Sequence, residues 1–333
     1  MMKKSLIILT GPTAVGKTEL SIRLARLVQG SVISADSMQV YRHMDIGSAK
    51  ISKDEMQEIP HYLIDEFEPE EEFHVVRFQE YARKYMEEIY AQGRIPMIVG
   101  GTGFYIQALL YDIDFTKEQE NKQYRAYLEE IAREQGGHIL HEMLKAADPE
   151  AAEQIHEHNC KRIIRALEFH HFSGQKISAH NETERQKKSP YNFAYFVLND
   201  DRAKLYERIN GRVEQMMEDG LVQEVKNLRE RGCNRTMVSM QGLGYKEILA
   251  YLEGELTLEE AVCRIKRDTR HFAKRQLTWF RRERDVIWVD KQAFAYDNDN
   301  ILKYMQEILI EKGIIKKAGK EIAHERNLSG TGN

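Results

Sequence analysis

Eight residues near the N-terminus limit what this chain can fold into more than any other stretch: Gly11-Pro12-Thr13-Ala14-Val15-Gly16-Lys17-Thr18. They fit G-x-x-x-x-G-K-[ST] in full. They lie between an apolar run, Ser5 to Thr10, and a segment carrying Leu20, Leu24 and Leu27 at helical spacing. A glycine-bearing loop that leaves a buried strand and opens a helix wraps backbone N–H groups around phosphate oxygens, with the helix dipole behind them. Lys17 adds a point charge, and the Thr18 hydroxyl can hold Mg²⁺. The ligand expected at this loop is a diphosphate or triphosphate, and the motif does not choose between them.

The rest of the chain offers the sheet such a loop needs. Val32 to Ala35 reads as a second strand ending at Asp36, His61 to Ile64 as a short third, and Ile95 to Val99 as a fourth that closes on Gly100-Gly101-Thr102-Gly103. Val75 to Tyr90 is helical by the spacing of Val75, Phe78, Tyr81, Tyr85 and Ile89. Phe193 to Leu198 and Val286 to Val289 return to strand character, with helices expected over 201–219, 221–230 and 257–283. Strands alternating with helices imply a parallel sheet with right-handed crossovers. From Lys117 to about Lys188 strand signals vanish; Tyr124, Tyr127, Leu128 and Ile131, then Ile163, Ile164, Leu167 and Phe169, keep helical spacing. The predicted fold is α/β: a P-loop NTPase-like parallel sheet flanked by helices, with an all-helical insertion. Its core would comprise 1–116 and 191–314, the insertion 117–190, and a flexible polar tail 315–333.

Composition narrows the setting. A chain of 333 residues with 42% hydrophobic and 31% charged residues suits a helix-rich globular enzyme. Cys160, Cys233 and Cys263 stand apart, at neither zinc nor disulfide spacing, and Leu6-Ile7-Ile8-Leu9 is too short to span a membrane. A reducing cytoplasm, no membrane contact and a monomer are expected. His138, His141, His170 and His171 have no cysteine or carboxylate at ligand spacing and read as surface or packing residues. The net charge of -4 averages opposed runs. Asp65 to Glu72 holds six acids in eight residues, expected to be a solvated loop. Residues 261–284 hold nine Lys or Arg against two acids, on a helix whose apolar stripe is Val262, Ile265, Phe272 and Trp279. Such an excess is either a solvated face or a track for a phosphate backbone.

One absence bears on the chemistry. A P-loop NTPase normally ends another strand in an Asp that helps hold Mg²⁺. Here Met97-Ile98-Val99 runs into Gly100-Gly101-Thr102 without a carboxylate, and the strand-end acid is Asp36 instead. An acid beside a phosphate loop can act on the group that receives the transferred moiety. It can equally cap a turn or support Mg²⁺ through water, and spacing alone leaves both open.

Seven blocks follow in order along the chain: the phosphate loop; Asp36-Ser37-Met38-Gln39-Val40-Tyr41; Met44-Asp45-Ile46-Gly47; and Gly100-Gly101-Thr102-Gly103-Phe104-Tyr105. Then come Arg162-Ile163-Ile164-Arg165-Ala166-Leu167-Glu168, Gly242-Leu243-Gly244-Tyr245-Lys246 and Lys274-Arg275-Gln276-Leu277-Thr278-Trp279-Phe280-Arg281. They span about residues 5 to 290, and with them the chain resembles the bacterial tRNA dimethylallyltransferases, the IPP transferase family. The resemblance implies transfer of a dimethylallyl group from dimethylallyl diphosphate to N6 of the adenosine just 3′ of the anticodon, with Mg²⁺ as cofactor and the anticodon stem-loop of tRNA as partner. Eukaryotic members carry a C-terminal zinc finger, which these cysteines cannot supply.

The same resemblance assigns roles. Asp36 would be the general base; Thr13, Lys17 and Arg212 would steady the leaving pyrophosphate, with Mg²⁺ near Thr18. Read without it, Arg212 is an ordinary helix-surface arginine. Contacts to tRNA would come from Asp36 to Gln39, from Thr102, from Cys160, Lys161, Arg162, Ile163 and Ile164, from Gln241 to Lys246, and from Lys274 to Arg281. On residues alone, Thr102 is a helix cap, 160–164 an amphipathic helix and 241–246 a glycine turn. The phosphate loop by itself also fits a small-molecule or nucleotide kinase, and the basic helix a non-catalytic RNA-binding protein.

Overall fold

The computed structural model describes residues 3–115 and 122–317. The expected start of the insertion at Lys117 and the expected tail beyond residue 317 lie outside the described residues.

β1 (Ser5–Thr10) is central to the sheet because Leu6 to Thr10 are all fully buried, the continuous apolar run of a strand covered on both faces. Along the chain follow α1 (Lys17–Val28), β2 (Gly30–Ser34), α2 (Lys53–Met56), β3 (His61–Tyr62), α3 (Val75–Ala91), β4 (Ile95–Gly100) and α4 (Gly103–Leu110). The helices α5 (Lys122–Gln135), α6 (Gly137–Ala147), α7 (Pro149–Gln154), α8 (Cys160–Ser173) and α9 (Ile177–Gln186) come next. The chain returns through β5 (Asn192–Asn199), α10 (Arg202–Glu218), α11 (Leu221–Glu230), α12 (Tyr245–Leu252), α13 (Leu258–Phe280), β6 (Val286–Asp290) and α14 (Asn298–Glu311). The strands pair in the order β3-β2-β4-β1-β5-β6, every pair parallel. This is the expected α/β architecture, with the strand that feeds the phosphate loop flanked by β4 and β5.

The chain divides into two compact units: one of the residues up to His74, Tyr81–Gly103 and those from Tyr191 on, the other of Val75–Glu80 and Phe104–Pro190. In the first, Ile7, Leu9, Leu20, Leu24, Phe196, Leu198, Leu205 and Ile209 belong to one core with Met305 and Leu309 of α14. In the second, Leu128, Ile131, Leu140, Leu144, Ile163 and Leu167 pack together. The second also holds a fully buried carboxylate, Asp148, which accepts from Ala151 N at 3.1 Å, Ser178 N at 2.9 Å and the Ser178 hydroxyl at 2.7 Å.

Three expectations need correction. Leu27 does not share the buried face of Leu20 and Leu24; it is 39% exposed, and Val28 goes inside instead. On α13 the buried stripe is Ala261, Ile265, Ala273, Gln276 and Phe280, while Val262, Phe272 and Trp279 are only half-buried at its margin. The acidic run is not merely solvated. Asp65 pairs with Lys50 at 2.5 Å, and Glu68 with Arg42 at 2.8 Å and Arg231 at 3.3 Å, the Lys50 side chain being 4% exposed. Among the described residues no helix is long and apolar enough to cross a membrane.

Candidate active site

The phosphate loop is held in a conformation that side chains other than hydrogen would block. Gly11 has φ +146°, and a Cβ there would lie 2.6 Å from Leu198 O on β5. Ala14 at φ 62° and Gly16 at φ 93° complete the curl, and α1 then starts with no side-chain cap on its N-terminus. Uncapped N–H groups at a helix start are the donors an anion would meet.

The loop is also gripped from behind. Gln276, buried on α13, accepts from Thr13 N at 2.9 Å through Oε1 and donates through Nε2 to Gly101 O at 2.9 Å. A single amide thus satisfies one donor of the phosphate loop and one acceptor at the end of β4. Arg208 on α10 donates from Nε to Ala14 O at 2.9 Å, and its guanidinium pairs with buried Asp200, which also accepts from the Tyr296 hydroxyl at 3.0 Å. Lys291, just past β6, donates to Val15 O at 3.3 Å. Burial and the adjoining Arg208 charge hold the Lys291 amine below its usual pKa.

Lys17 Nζ donates to Gly11 O at 3.0 Å and Pro12 O at 2.9 Å. Burial pushes its pKa down to about 8, while the Asp36 carboxylate pulls it up and the Arg212 guanidinium adds to the depression. Arg212 is itself shifted down by desolvation, then by Arg208, with Asp36 and Glu55 opposing. Its residue is exposed overall, so solvent screens part of this effect; the guanidinium lines a cleft of about 440 Å³ with Asp45, Ile46, Ala49, Lys50, Gln215, Met216 and Asp219. The mutual influence places Lys17, Asp36 and Arg212 in one electrostatic neighbourhood, although they stand far apart in sequence.

Asp36 lies beyond β2 in a turn of its own making: Oδ1 accepts from Met38 N at 2.8 Å and Gln39 N at 3.3 Å. Its Oδ2 has no hydrogen-bond partner among the described residues. Gln39 turns its amide inward, donating to Ala49 O at 3.1 Å and Ser48 O at 3.4 Å. Thr102 N donates to Ala35 O at 3.1 Å, which sets the glycine turn of β4 beside the Asp36 turn. The Thr13 and Thr18 hydroxyls make no hydrogen bond among the described residues.

The blocks expected to meet tRNA split by helical phase. Lys161, Arg162, Lys246, Lys274, Arg275, Thr278 and Arg281 are exposed. Ile163, Ile164, Tyr245, Gln276 and Phe280 are buried and their side chains pack inside, Gly242 and Gly244 are buried as well, and Cys160, Leu243, Leu277 and Trp279 are intermediate. Gln241 is exposed and donates to Arg235 O. The solvent face of α13 forms a cleft of about 390 Å³ lined by His271, Lys274, Arg275, Thr278, Trp279 and Arg282. Trp279 packs on Gly103, where a Cβ would come within 2.3 Å of its ring. Gln276 lies in a block expected to meet tRNA, but its hold on the phosphate loop, like the roles of Arg208, Lys291 and Glu224, is revealed only by contacts across the fold.

The model of the family described as IPP transferase matches residues 39–283. The phosphate loop and Asp36 precede that segment. The chain is 60% identical over 311 residues to a tRNA dimethylallyltransferase of Lachnoclostridium phytofermentans, covering 93% of this chain and 99% of the relative. Among solved structures it is similar to the tRNA isopentenylpyrophosphate transferase of Bacillus halodurans, with 44% identity, a TM-score of 0.71, and 94% and 99% of the two chains covered. A eukaryotic dimethylallyltransferase acting on tRNA is 28% identical with a TM-score of 0.74, over 95% of this chain and 87% of that one. The chain therefore belongs to the IPP transferase family, the tRNA dimethylallyltransferases.

Proposed function

We propose that Asp36 is the general base through which this chain prenylates tRNA: it accepts a proton from N6 of the adenosine 3′ of the anticodon as that nitrogen bonds the dimethylallyl carbon and pyrophosphate departs. The observation that carries this reading is the arrangement of Asp36 itself. Two backbone N–H groups fix Oδ1, Oδ2 is left over, and the carboxylate lies near enough to Lys17 and Arg212 for its charge to act on both. An exocyclic adenine amine is a poor nucleophile because its lone pair is delocalised into the ring, so a fixed carboxylate within reach matters. The breaking C–O bond leaves its electrons on pyrophosphate, which needs positive partners already in place. In this reading the loop N–H groups, Lys17, Thr13 and Arg212 supply them, and the target base leaves the anticodon-loop stack to reach Asp36.

Thr18 fits a Mg²⁺ that arrives with the substrate. Its residue is exposed in the first turn of α1, and its hydroxyl has no partner among the described residues. Mg²⁺ needs only one or two protein oxygens when phosphates and water fill the remaining positions. When bound, the ion would neutralise charge on the diphosphate. The helical unit, with Lys161 and Arg162 exposed on α8, and the cationic face of α13 are proposed to follow the tRNA backbone, the protein acting as a cytoplasmic monomer.

Incubating the protein with tRNA and dimethylallyl diphosphate, then weighing the released nucleosides by mass spectrometry, tests the reading. It predicts dimethylallyl-adenosine at a single position and no phosphoryl transfer from ATP. Labelled phosphate moving from ATP to an acceptor, with unmodified tRNA, would overturn it.

A further inference from the structure

We infer that Glu224 is a positioning residue for the acceptor base. Its carboxylate locks the loop that runs on from Asp36 and Gln39 to Tyr245, the first residue of α12. The inference rests on the proposed role of Asp36.

Glu224 sits half-buried in the first turn of α11. Its Oε2 accepts from Asp45 N at 2.8 Å and Ile46 N at 2.8 Å; its Oε1 accepts from Gly47 N at 3.1 Å and from the Tyr245 hydroxyl at 2.7 Å. Three successive backbone N–H groups converging on one anion form a nest, here filled by a side chain of the protein itself. Hydrogen bonds to an ionised acceptor are the stronger kind, and this one holds two donors on each oxygen. The geometry is tight. A Cβ at Gly47 would fall 2.5 Å from the Tyr245 ring, so only glycine lets the turn lie against it. Tyr245 is fully buried, and burial followed by the Glu224 charge raises its phenol well above the usual range, so it remains a donor.

From that nest a chain of contacts leads to the base. The 45–49 turn supplies the carbonyls of Ser48 and Ala49 that hold the Gln39 amide, and Gln39 N donates to Asp36 Oδ1. The preceding residue, Met38, also donates to Oδ1 through its backbone N–H, and its side chain meets Gly242, where a Cβ would lie 2.5 Å from Met38 Cε. Lys50 Nζ ties the far side of the turn to Tyr41 O and Asp65, so the loop keeps an anchor if Glu224 is altered. Glu224 touches no reacting group in this arrangement; it acts through Asp36 and Gln39.

The test is Glu224→Gln, with the same volume but an NH₂ group facing backbone donors. Single-turnover transfer at saturating substrate should fall on the order of 10–100-fold, since small displacements of a reacting group cost that much. The KM for an anticodon stem-loop should rise, and dimethylallyl diphosphate should bind within about twofold of the parent because the loop at 11–18 is untouched. Tyr245→Phe, which removes one donor, should shift rate and KM the same way but less. Combining Glu224→Gln with Asp36→Asn should cost little beyond Asp36→Asn alone. An unchanged rate per folded molecule and an unchanged stem-loop KM, even with a lower Tm, would overturn the inference and leave a structural role only. Full activity in Asp36→Asn would instead overturn the general-base reading on which it rests.

Discussion

Gln276 and Thr13 stand 263 positions apart and share a 2.9 Å hydrogen bond in which the helix side chain accepts from the phosphate-loop N–H. The same amide reaches Gly101 O. The long basic helix thus bears directly on the shape of the diphosphate cradle, and its buried stripe has a role beyond packing.

Replacing Gln276 by Leu should therefore harm two things together. Gly101 O would lose its partner in a buried site and Thr13 N in a part-buried one, and orphaning a buried group costs about 1–3 kcal/mol. Urea unfolding should show a loss in that range, and calorimetric titration with dimethylallyl diphosphate should show weaker binding. Stability loss with unchanged diphosphate affinity would mean that the bond shapes the fold but not the loop.

Lys17 predicts a pH dependence. Burial holds its pKa in the free protein near 8, below the usual range of a lysine amine, so the ammonium needed by a diphosphate is lost as pH rises through about 8. A bound anion favours the charged form and raises that pKa, so binding takes up a proton above pH 8. The apparent Kd for dimethylallyl diphosphate should be flat below about pH 7.5 and weaken towards pH 9. Lys17→Arg should remove the dependence, because a guanidinium stays charged throughout. A parent enzyme whose Kd is level to pH 9.5 would contradict this.

Asp148 should govern the acid stability of the helical unit. Burial alone would raise its pKa, but the N–H and hydroxyl of Ser178 and the N–H of Ala151 outweigh burial and leave it lowered. A carboxyl depressed in the folded state adds stability that is complete above its unfolded pKa near 4 and lost as pH falls through the lower folded value. Asp148→Ala should cost about 2–3 kcal/mol at pH 7, since hydrogen bonds to a charged group are the costly ones to lose. Chemical denaturation of the variant and the parent at pH 7 and pH 3 would check both the size and the narrowing of the difference.

Much of this arrangement was legible beforehand, for identifiable reasons. The strand–loop–helix at 5–28 is a local pattern: a wholly buried strand reads as an apolar run, and its glycines mark the curl. Asp36 was visible as the acid just beyond the next strand. Arg212 looked like a surface residue, and only the family resemblance marked it. That Arg208, Gln276 and Lys291 support the loop from behind was not legible, although Gln276 sits in a block expected to meet tRNA, because they reach it from 194, 263 and 276 positions away. No local periodicity encodes such a contact. The motif blocks are contiguous in sequence, but a helix alternates its faces, so Gln276 and Phe280 turn inward while Lys274, Arg275, Thr278 and Arg281 turn out.

The exposed part of α13 makes its own prediction. Each Lys or Arg that neutralises a phosphate releases counterions, so affinity falls with salt in proportion to the contacts made. Lys274→Ala with Arg281→Ala should weaken binding of an anticodon stem-loop and lower the salt slope by about one per lost contact. Dimethylallyl diphosphate binding should be unaffected. If neither the slope nor the stem-loop affinity moves, the face is ordinary surface and the RNA path lies along Lys161, Arg162 and Arg165.

The central claim is that Asp36 takes the N6 proton, and single-turnover transfer by Asp36→Asn tests it most directly. The amide keeps the shape, and its Oδ1 can still accept from Met38 and Gln39, but it is no base. The account predicts a fall of roughly 10²–10⁴-fold in the rate of dimethylallyl transfer, with stem-loop and dimethylallyl diphosphate affinities nearly unchanged. A variant that transfers the group at the parental rate would contradict it.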